Sequence, residues 1–177
     1  MRNMKTKDLV LMALYIALFA VLEKVTMTFP LFKMASGGRL SLSIIPLMIA
    51  SYHLGVGKAG VVALISVGLK LMMKAPYIVH PVQFLFDYPI AYLVYALAVK
   101  FKDIKAGELS LPMGVLVVNF LRFMSHNIAG WVFFADGYPG NVFWGVMGYN
   151  ATYMIPTLII SFVIVMLVKP RIESQFN

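Results

Sequence analysis

The chain has 177 residues, of which 61% are hydrophobic and 12% are charged, and its mean hydropathy is +0.86. So little polar surface excludes a soluble globule of this length and indicates an all-α integral membrane protein. The net charge of +8 is spread over short tracts between apolar segments, a pattern that reports membrane topology and predicts no nucleic-acid partner. The absence of cysteine excludes disulfides and thiolate metal ligands, and the three histidines lack metal spacing, so we expect neither a metal nor a cofactor.

Six apolar segments predict six transmembrane helices in a single domain spanning residues 1–177. Their approximate bounds are 9–29, 40–54, 59–73, 81–99, 109–134 and 142–168. Pro30 is expected to end the first helix, and residues 31–39 to form a flexible loop able to cover a site. Gly55 and Gly57 predict a turn between the second and third helices.

The first segment carries small residues on one side. Ala13 and Ala17 are four residues apart, and Ala20 follows three residues later. Small residues at this spacing let a second helix approach closely, either within the bundle or from a partner protein.

The Lys and Arg residues predict the orientation of the helices. Nine fall in the N-terminus, the second and fourth loops and the C-terminus, whereas the alternate loops hold only Lys33, Arg39, Lys70 and Lys74. Because basic loops stay on the cytoplasmic side, both termini are predicted to be cytoplasmic in a multi-pass protein of the plasma membrane.

The fourth segment is unusual because it contains Asp87 together with Pro81 and Pro89. An acidic side chain at the centre of a membrane helix costs roughly 2.5 to 3.5 kcal/mol, so it indicates a functional site with a positively charged partner. That partner is either a cationic ligand or Arg122 of the fifth segment, where Asn119, Arg122 and His126 share one helical face.

Aromatic and polar residues near the predicted outer ends of the helices complete a candidate binding site. A carboxylate with aromatic faces favours a flat cationic ring, held by a cation–π contact of about 2 kcal/mol. The alternatives are an interfacial aromatic belt, above all for Tyr77 and Tyr138, and helix–helix hydrogen bonds for His126 and Asn150. The candidate substrate-binding residues are Gln83, Asp87, Tyr88, His126, Trp131, Phe134, Trp144, Tyr149 and Asn150.

Three stretches of the chain, residues 76–92, 122–134 and 149–156, resemble the thiamine-specific S component of energy-coupling factor transporters. The resemblance covers nearly the whole chain and implies a six-helix substrate-capture subunit, not an enzyme. It further implies that thiamine binds from outside and that the subunit docks, through Ala13 and Ala17, onto a transmembrane coupling protein driven by two ATPase subunits. Asp87 matches the family's acidic residue facing the thiazolium ring, and Tyr88, His126 and Asn150 match its pocket residues.

The chain departs from the family pattern at aromatic positions. Phe134 replaces a pocket tryptophan and Gly145 a pocket tyrosine, so Trp131 and Trp144 are expected to supply the missing stacking. Another vitamin or a neutral pyrimidine precursor is therefore an alternative substrate.

Two further classes of function are also considered. An intramembrane enzyme would need a nucleophile and base in contact, but Ser125 and His126 are adjacent on a helix and point about 100° apart. An ion-coupled carrier would need more than Asp87 and His126 as a proton relay. The chain has no Walker A pattern, so active uptake requires ATPase partners.

Overall fold

A computed structural model describes residues 4–29, 33–34, 37–107, 109–138 and 140–174. The predicted helix end at Pro30, part of the first loop, and the orientation signal from Arg2 lie outside these residues. The described residues form five helical stretches and one short strand pair. The helices are α1 (Thr6–Thr28), α2 (Ile44–Met73), α3 (Pro81–Lys100), α4 (Met113–Phe133) and α5 (Val142–Ser174).

Helix α2 contains a break at Gly55. This residue has φ +77° and ψ 168°, a backbone conformation essentially restricted to glycine, so the helical path is interrupted at a single residue. The sequence predicted a longer turn through Gly57, whereas the structure resumes the helix directly after Gly55.

Helix α3 changes its winding along its length. It begins as an α-helix at Pro81–Leu85, widens to a π-helical segment at Phe86–Ile90, and after one α-helical turn ends as a 3-10 helix at Val94–Lys100. Pro89 lies inside the π-helical segment and has no N–H to donate, which favours irregular winding there.

The strand pair corrects the predicted start of the fifth span. Strands β1 (Ile104–Ala106) and β2 (Leu109–Leu111) pair antiparallel, with Ile104 opposite Leu111. Helix α4 therefore begins at Met113 and not at residue 109, because Pro112 disfavours helical geometry at the residue before it. Asp103 ties the strand pair to α5 through an ion pair with Lys169.

The core forms where α1 and α3 pack on α2, α4 packs on α3, and α5 packs against α2 and α4. Large fully buried side chains include Phe19, Met48, Tyr92, Tyr95 and Val118. Within the part of the chain that the structure describes, four helices are long and apolar enough to cross a membrane: α1, α2, α3 and residues Val142–Ile172 of α5. Helix α4 carries several polar or charged residues that are buried in the bundle, namely Asn119, Arg122, Ser125 and Asn127.

Candidate functional site

A cavity of about 1060 Å³ lies at one end of the bundle. Its walls come from the first loop, the ends of α1 and α2, the beginning of α3, and the facing parts of α4 and α5. The structure brings most of the predicted binding residues to this cavity, namely Gln83, Asp87, Tyr88, His126, Phe134, Tyr149 and Asn150.

Asp87 is held by two neutral hydrogen-bond donors. The Gln83 amide nitrogen donates to Oδ2 at 2.5 Å, and His126 Nδ1 lies 2.8 Å from Oδ1. The Asp87 side chain stays 18% exposed on the cavity side. The carboxylate is thus oriented by the protein and still accessible from the cavity.

Arg122 determines which nitrogen of His126 carries the proton. The Arg122 Nε–H lies 3.3 Å from His126 Nε2, and a guanidinium can only donate, so Nε2 accepts. The proton of a neutral imidazole is then on Nδ1, which donates to Asp87. Within the described residues, Arg122 and Asp87 form no direct ion pair, which argues against the alternative that Arg122 neutralises Asp87.

Arg122 is instead fixed by aromatic side chains. Its Nη1 donates to the Tyr95 hydroxyl at 3.1 Å, and its guanidinium carbon lies 5.1 Å from the centre of the Tyr92 ring. The Tyr95 hydroxyl in turn donates to Asn119. Hydrogen bonds and a cation–π contact therefore hold this buried cation in the cavity wall.

Gln83 connects Asp87 to the loop before α3. It is buried, its Oε1 accepts from the Val79 backbone N–H at 3.2 Å, and its amide nitrogen also donates to the Tyr77 carbonyl. The Gln83 side chain therefore joins the loop at residues 77–79 to Asp87.

The π-helical winding of α3 is supported by α4. Ser125 donates its hydroxyl to the Phe86 carbonyl at 2.5 Å. A carbonyl in an irregular helix segment needs such a partner because an unpaired buried acceptor costs about 1 to 3 kcal/mol. Ser125 and His126 thus hold adjacent residues of α3, Phe86 and Asp87, in place.

The opposite wall is formed by α5. Asn150 is buried, donates to Asn127 at 3.1 Å and accepts from the Tyr153 hydroxyl at 2.8 Å. These bonds agree with the alternative that Asn150 joins helices, although its side chain also lines the cavity. The Tyr149 hydroxyl accepts from the Gly38 N–H at 3.0 Å and so holds the first loop against α5.

Gly38 is required for this close approach. A Cβ atom at this position would lie 2.5 Å from a ring carbon of Tyr153. The first loop therefore reaches the cavity only because a residue without a side chain occupies position 38.

Aromatic pairs lie along one part of the cavity wall, where Tyr77, Phe133 and Phe134 line the cavity. Tyr77 lies 6.2 Å from Phe134 between ring centres, and His80 stacks on Phe133 at 5.0 Å. Partial burial and the neighbouring Tyr149 raise the pKa of Tyr138 above its ordinary value, so this phenol at the cavity rim stays neutral at physiological pH.

Trp131 and Trp144 are not brought to the cavity. Trp131 stacks on Phe143 at 4.8 Å and donates to the Phe143 carbonyl, and Trp144 is 65% exposed. The reason is helical geometry: Trp131 follows His126 by five residues, which places it about 140° around the helix. Neither side chain lines the cavity in this structure, and their stacking on a ligand stays a prediction.

A buried charge cluster was not predicted from the sequence. Glu23 is fully buried and contacts Arg39, Lys70 and Ser43, with Lys70 Nζ at 2.5 Å and Ser43 Oγ at 2.6 Å. Glu23, Arg39 and Lys70 also line the cavity. The signal was available, because Glu23 is an acid inside an apolar segment just as Asp87 is.

The predicted docking residues lie on the outer side of α1. Ala13 and Ala17 are exposed, whereas Met12, Tyr15, Phe19 and Glu23 form the buried side. The described residues contain no group of three or more His, Asp or Glu side chains that could hold a metal ion.

Comparison with known proteins identifies the family. The model of the thiamine transporter protein family (Thia_YuaJ) matches residues 9–177. The chain belongs to this family. Its members are transport proteins and not enzymes, and with its apolar helices the chain is a multi-pass protein of the plasma membrane.

Two relatives place the chain within the family. The thiamine transporter ThiT of Bacillus subtilis (strain 168) is 33% identical over 147 residues, which cover 76% of each chain. A solved structure of ThiT from Listeria monocytogenes superimposes with a TM-score of 0.72, covering 94% of this chain and 98% of that one at 19% identity. The second comparison shows that the two proteins share a fold.

Proposed function

We propose that this protein is the thiamine-binding S component of an energy-coupling factor transporter. It captures thiamine from outside the cell and docks on a transmembrane coupling protein with two ATPase subunits, which drive uptake. The chain crosses the membrane six times with both termini in the cytoplasm, and the break at Gly55 divides α2 into the second and third crossings.

The observation that carries the proposal is the state of Asp87. Its hydrogen-bond partners, Gln83 and His126, are both neutral, so within the described part of the chain no cation neutralises the carboxylate. A carboxylate in apolar surroundings without a counter-ion attracts a cation. Thiamine supplies one, because its thiazolium ring is permanently positive.

The cavity also suits the rest of the thiamine molecule. Its volume of about 1060 Å³ is in the range of small-molecule sites, and its walls combine aromatic faces with a few polar groups. Tyr88, Phe134 and Tyr149 offer ring faces to the thiazolium and the aminopyrimidine. Asn150 keeps one amide N–H and one acceptor site on its Oδ1, which can fix the orientation of the pyrimidine, whereas both ring nitrogens of His126 are used by Arg122 and Asp87.

A neutral pyrimidine or another vitamin is the second candidate within the same class. It would use the aromatic walls without needing the charge of Asp87. The two candidates differ in one measurable property, namely whether affinity depends on that carboxylate.

The test is calorimetric titration of the protein purified in detergent, because neither tryptophan lines the cavity and fluorescence quenching would report poorly. We expect one thiamine site. Asp87→Asn keeps the shape of the side chain and removes the charge. It should weaken thiamine binding by about 2 to 3 kcal/mol, or about 30- to 150-fold, because opposite charges about 4 Å apart attract by about 1 kcal/mol in bulk water and about 4 kcal/mol near a protein surface.

Two controls make this test specific. Asp136→Asn also removes one negative charge from the cavity lining, but it leaves Asp87, Gln83 and His126 unchanged. It should change the affinity for thiamine much less. The neutral aminopyrimidine half of thiamine should bind the Asp87→Asn variant as it binds the wild type. Equal loss of both ligands, or no loss of thiamine, would contradict the assignment of Asp87 to the thiazolium.

A further inference from the structure

A second, smaller cavity adjoins the main one and has a different character. Its volume is about 100 Å³, and it is lined by Met27, Lys33, Gly37, Arg39 and Lys74. Three of these five residues are basic and none is acidic. Gly37, Arg39 and Lys74 line both cavities, so the smaller one is a basic side pocket of the larger.

The positive charge of this pocket is not balanced within the described residues. Arg39 shares the single carboxylate of Glu23 with Lys70. Lys33 and Lys74 form no ion pair with any described acid. Three basic residues therefore line the pocket, and the only described carboxylate paired with any of them is that of Glu23, which Arg39 shares with Lys70. The pocket carries an excess of positive charge, and its protein walls strengthen the electric field there.

The side chains present have the donors that an oxyanion needs. Arg39 uses one terminal nitrogen on Glu23 and retains other N–H donors, and the ammonium groups of Lys33 and Lys74 are exposed. A planar guanidinium combined with two mobile ammonium groups is an arrangement that binds phosphate oxygens.

The position of the pocket adds a second argument. It lies where α1 and α2 end, and large apolar side chains are exposed on these same ends: Val25 and Phe29 in or just after α1, and Met72 at 84% exposure in α2. Basic residues directly beyond a lipid-facing apolar surface are at the depth of phospholipid headgroups.

We propose that Lys33, Arg39 and Lys74 form a binding site for a phosphate group. The phosphate comes either from the headgroup of an anionic phospholipid or from phosphate free in solution. The small volume fits a single such group and not a second organic substrate. The site uses none of the residues that contact Asp87, although Arg39 and Lys74 also line the main cavity.

The experiment compares three forms of the full-length protein: wild type, the Lys33→Gln/Lys74→Gln double variant, and Lys24→Gln as a matched control. Lys24 is exposed near the same end of α1 but does not line the pocket. Arg39 is not substituted, because its replacement would also remove one of the two ion-pair partners of Glu23. The lipid arm measures, by native mass spectrometry, retention of phosphatidylglycerol against phosphatidylcholine. The solution arm measures inorganic phosphate binding by calorimetry.

In the lipid arm we expect wild type and Lys24→Gln to retain phosphatidylglycerol preferentially, and the double variant to lose about 30-fold in affinity with its two charges. The same loss in the solution arm alone would assign the site to free phosphate. If neither ligand distinguishes the double variant from Lys24→Gln, the proposal is overturned. The thiamine titration of Asp87→Asn tests the proposed function separately from this site, because that variant leaves the basic pocket unchanged.

Discussion

Two buried or half-buried carboxylates, Glu23 and Asp87, are treated differently by the surrounding protein. Glu23 is fully buried and already contacts two cations, so its charge is compensated inside the molecule. Asp87 remains partly exposed and contacts only an amide and a neutral imidazole. We infer that Glu23 holds the structure together and that Asp87 is kept available for a ligand.

Removing the charge of Glu23 should therefore affect stability more than any surface charge does. Glu23→Gln leaves Arg39 and Lys70 without their anion, and removing one partner of a buried pair typically costs about 3 to 5 kcal/mol. We expect a clearly lower Tm in detergent. The control is Asp8→Asn, which breaks the exposed pair with Lys58 and should leave the Tm nearly unchanged. Equal Tm values for the two variants would mean that the cluster contributes no net stability.

At the scale of single elements, the helices followed from hydropathy but their irregularities did not. Runs of apolar residues predict where a chain crosses a membrane, since length and composition determine this. The strand pair at residues 104–111 has only three residues per strand, too few for an alternating pattern to be recognised. The winding of α3 depends on Ser125 from another helix, which no local pattern encodes.

The candidate site could also be predicted only in part, because single residues can be recognised from the sequence but contacts between distant helices cannot. Asp87 could be identified because an acidic side chain in a membrane helix is costly. Asn119, Arg122 and His126 could be identified because they share one helical face. The contact between Asp87 and His126 joins residues 39 positions apart, and spacing alone cannot reveal such a pair. The position of Trp131 was predictable in principle, because 100° per residue turns it away from His126.

Gly55 provides a test of how one element is shaped. Its φ of +77° with ψ of 168° strains any residue that has a Cβ, although a methyl group would meet no other atom there. Gly55→Ala should therefore cost about 1 to 3 kcal/mol and lower the Tm. Gly57 lies two residues on, has equally open surroundings and no positive φ, so Gly57→Ala should be neutral or slightly stabilising. If both variants behave alike, the break at Gly55 is not imposed by its backbone conformation.

At the scale of the whole molecule, the cavity and the proposed docking surface are separated. The cavity is at one end of the bundle, and from α1 it uses Glu23 but neither Ala13 nor Ala17. Both alanines are on the exposed side of α1, whose other side is packed on α2. Ligand capture and partner docking can then be disturbed independently.

This separation leads to a prediction about assembly. Ala13→Trp and Ala17→Trp each place a large side chain where close helix approach needs a small one, so each should greatly reduce co-purification with the proposed coupling protein. Their thiamine affinity by calorimetry should equal that of the wild type. Leu14→Trp is the matched control, because Leu14 is already large, is 52% exposed and lies about 100° around the helix from Ala13. Unchanged co-purification of both alanine variants would remove α1 as the docking surface, and a parallel loss of thiamine binding would show that the substitutions disturb the fold instead.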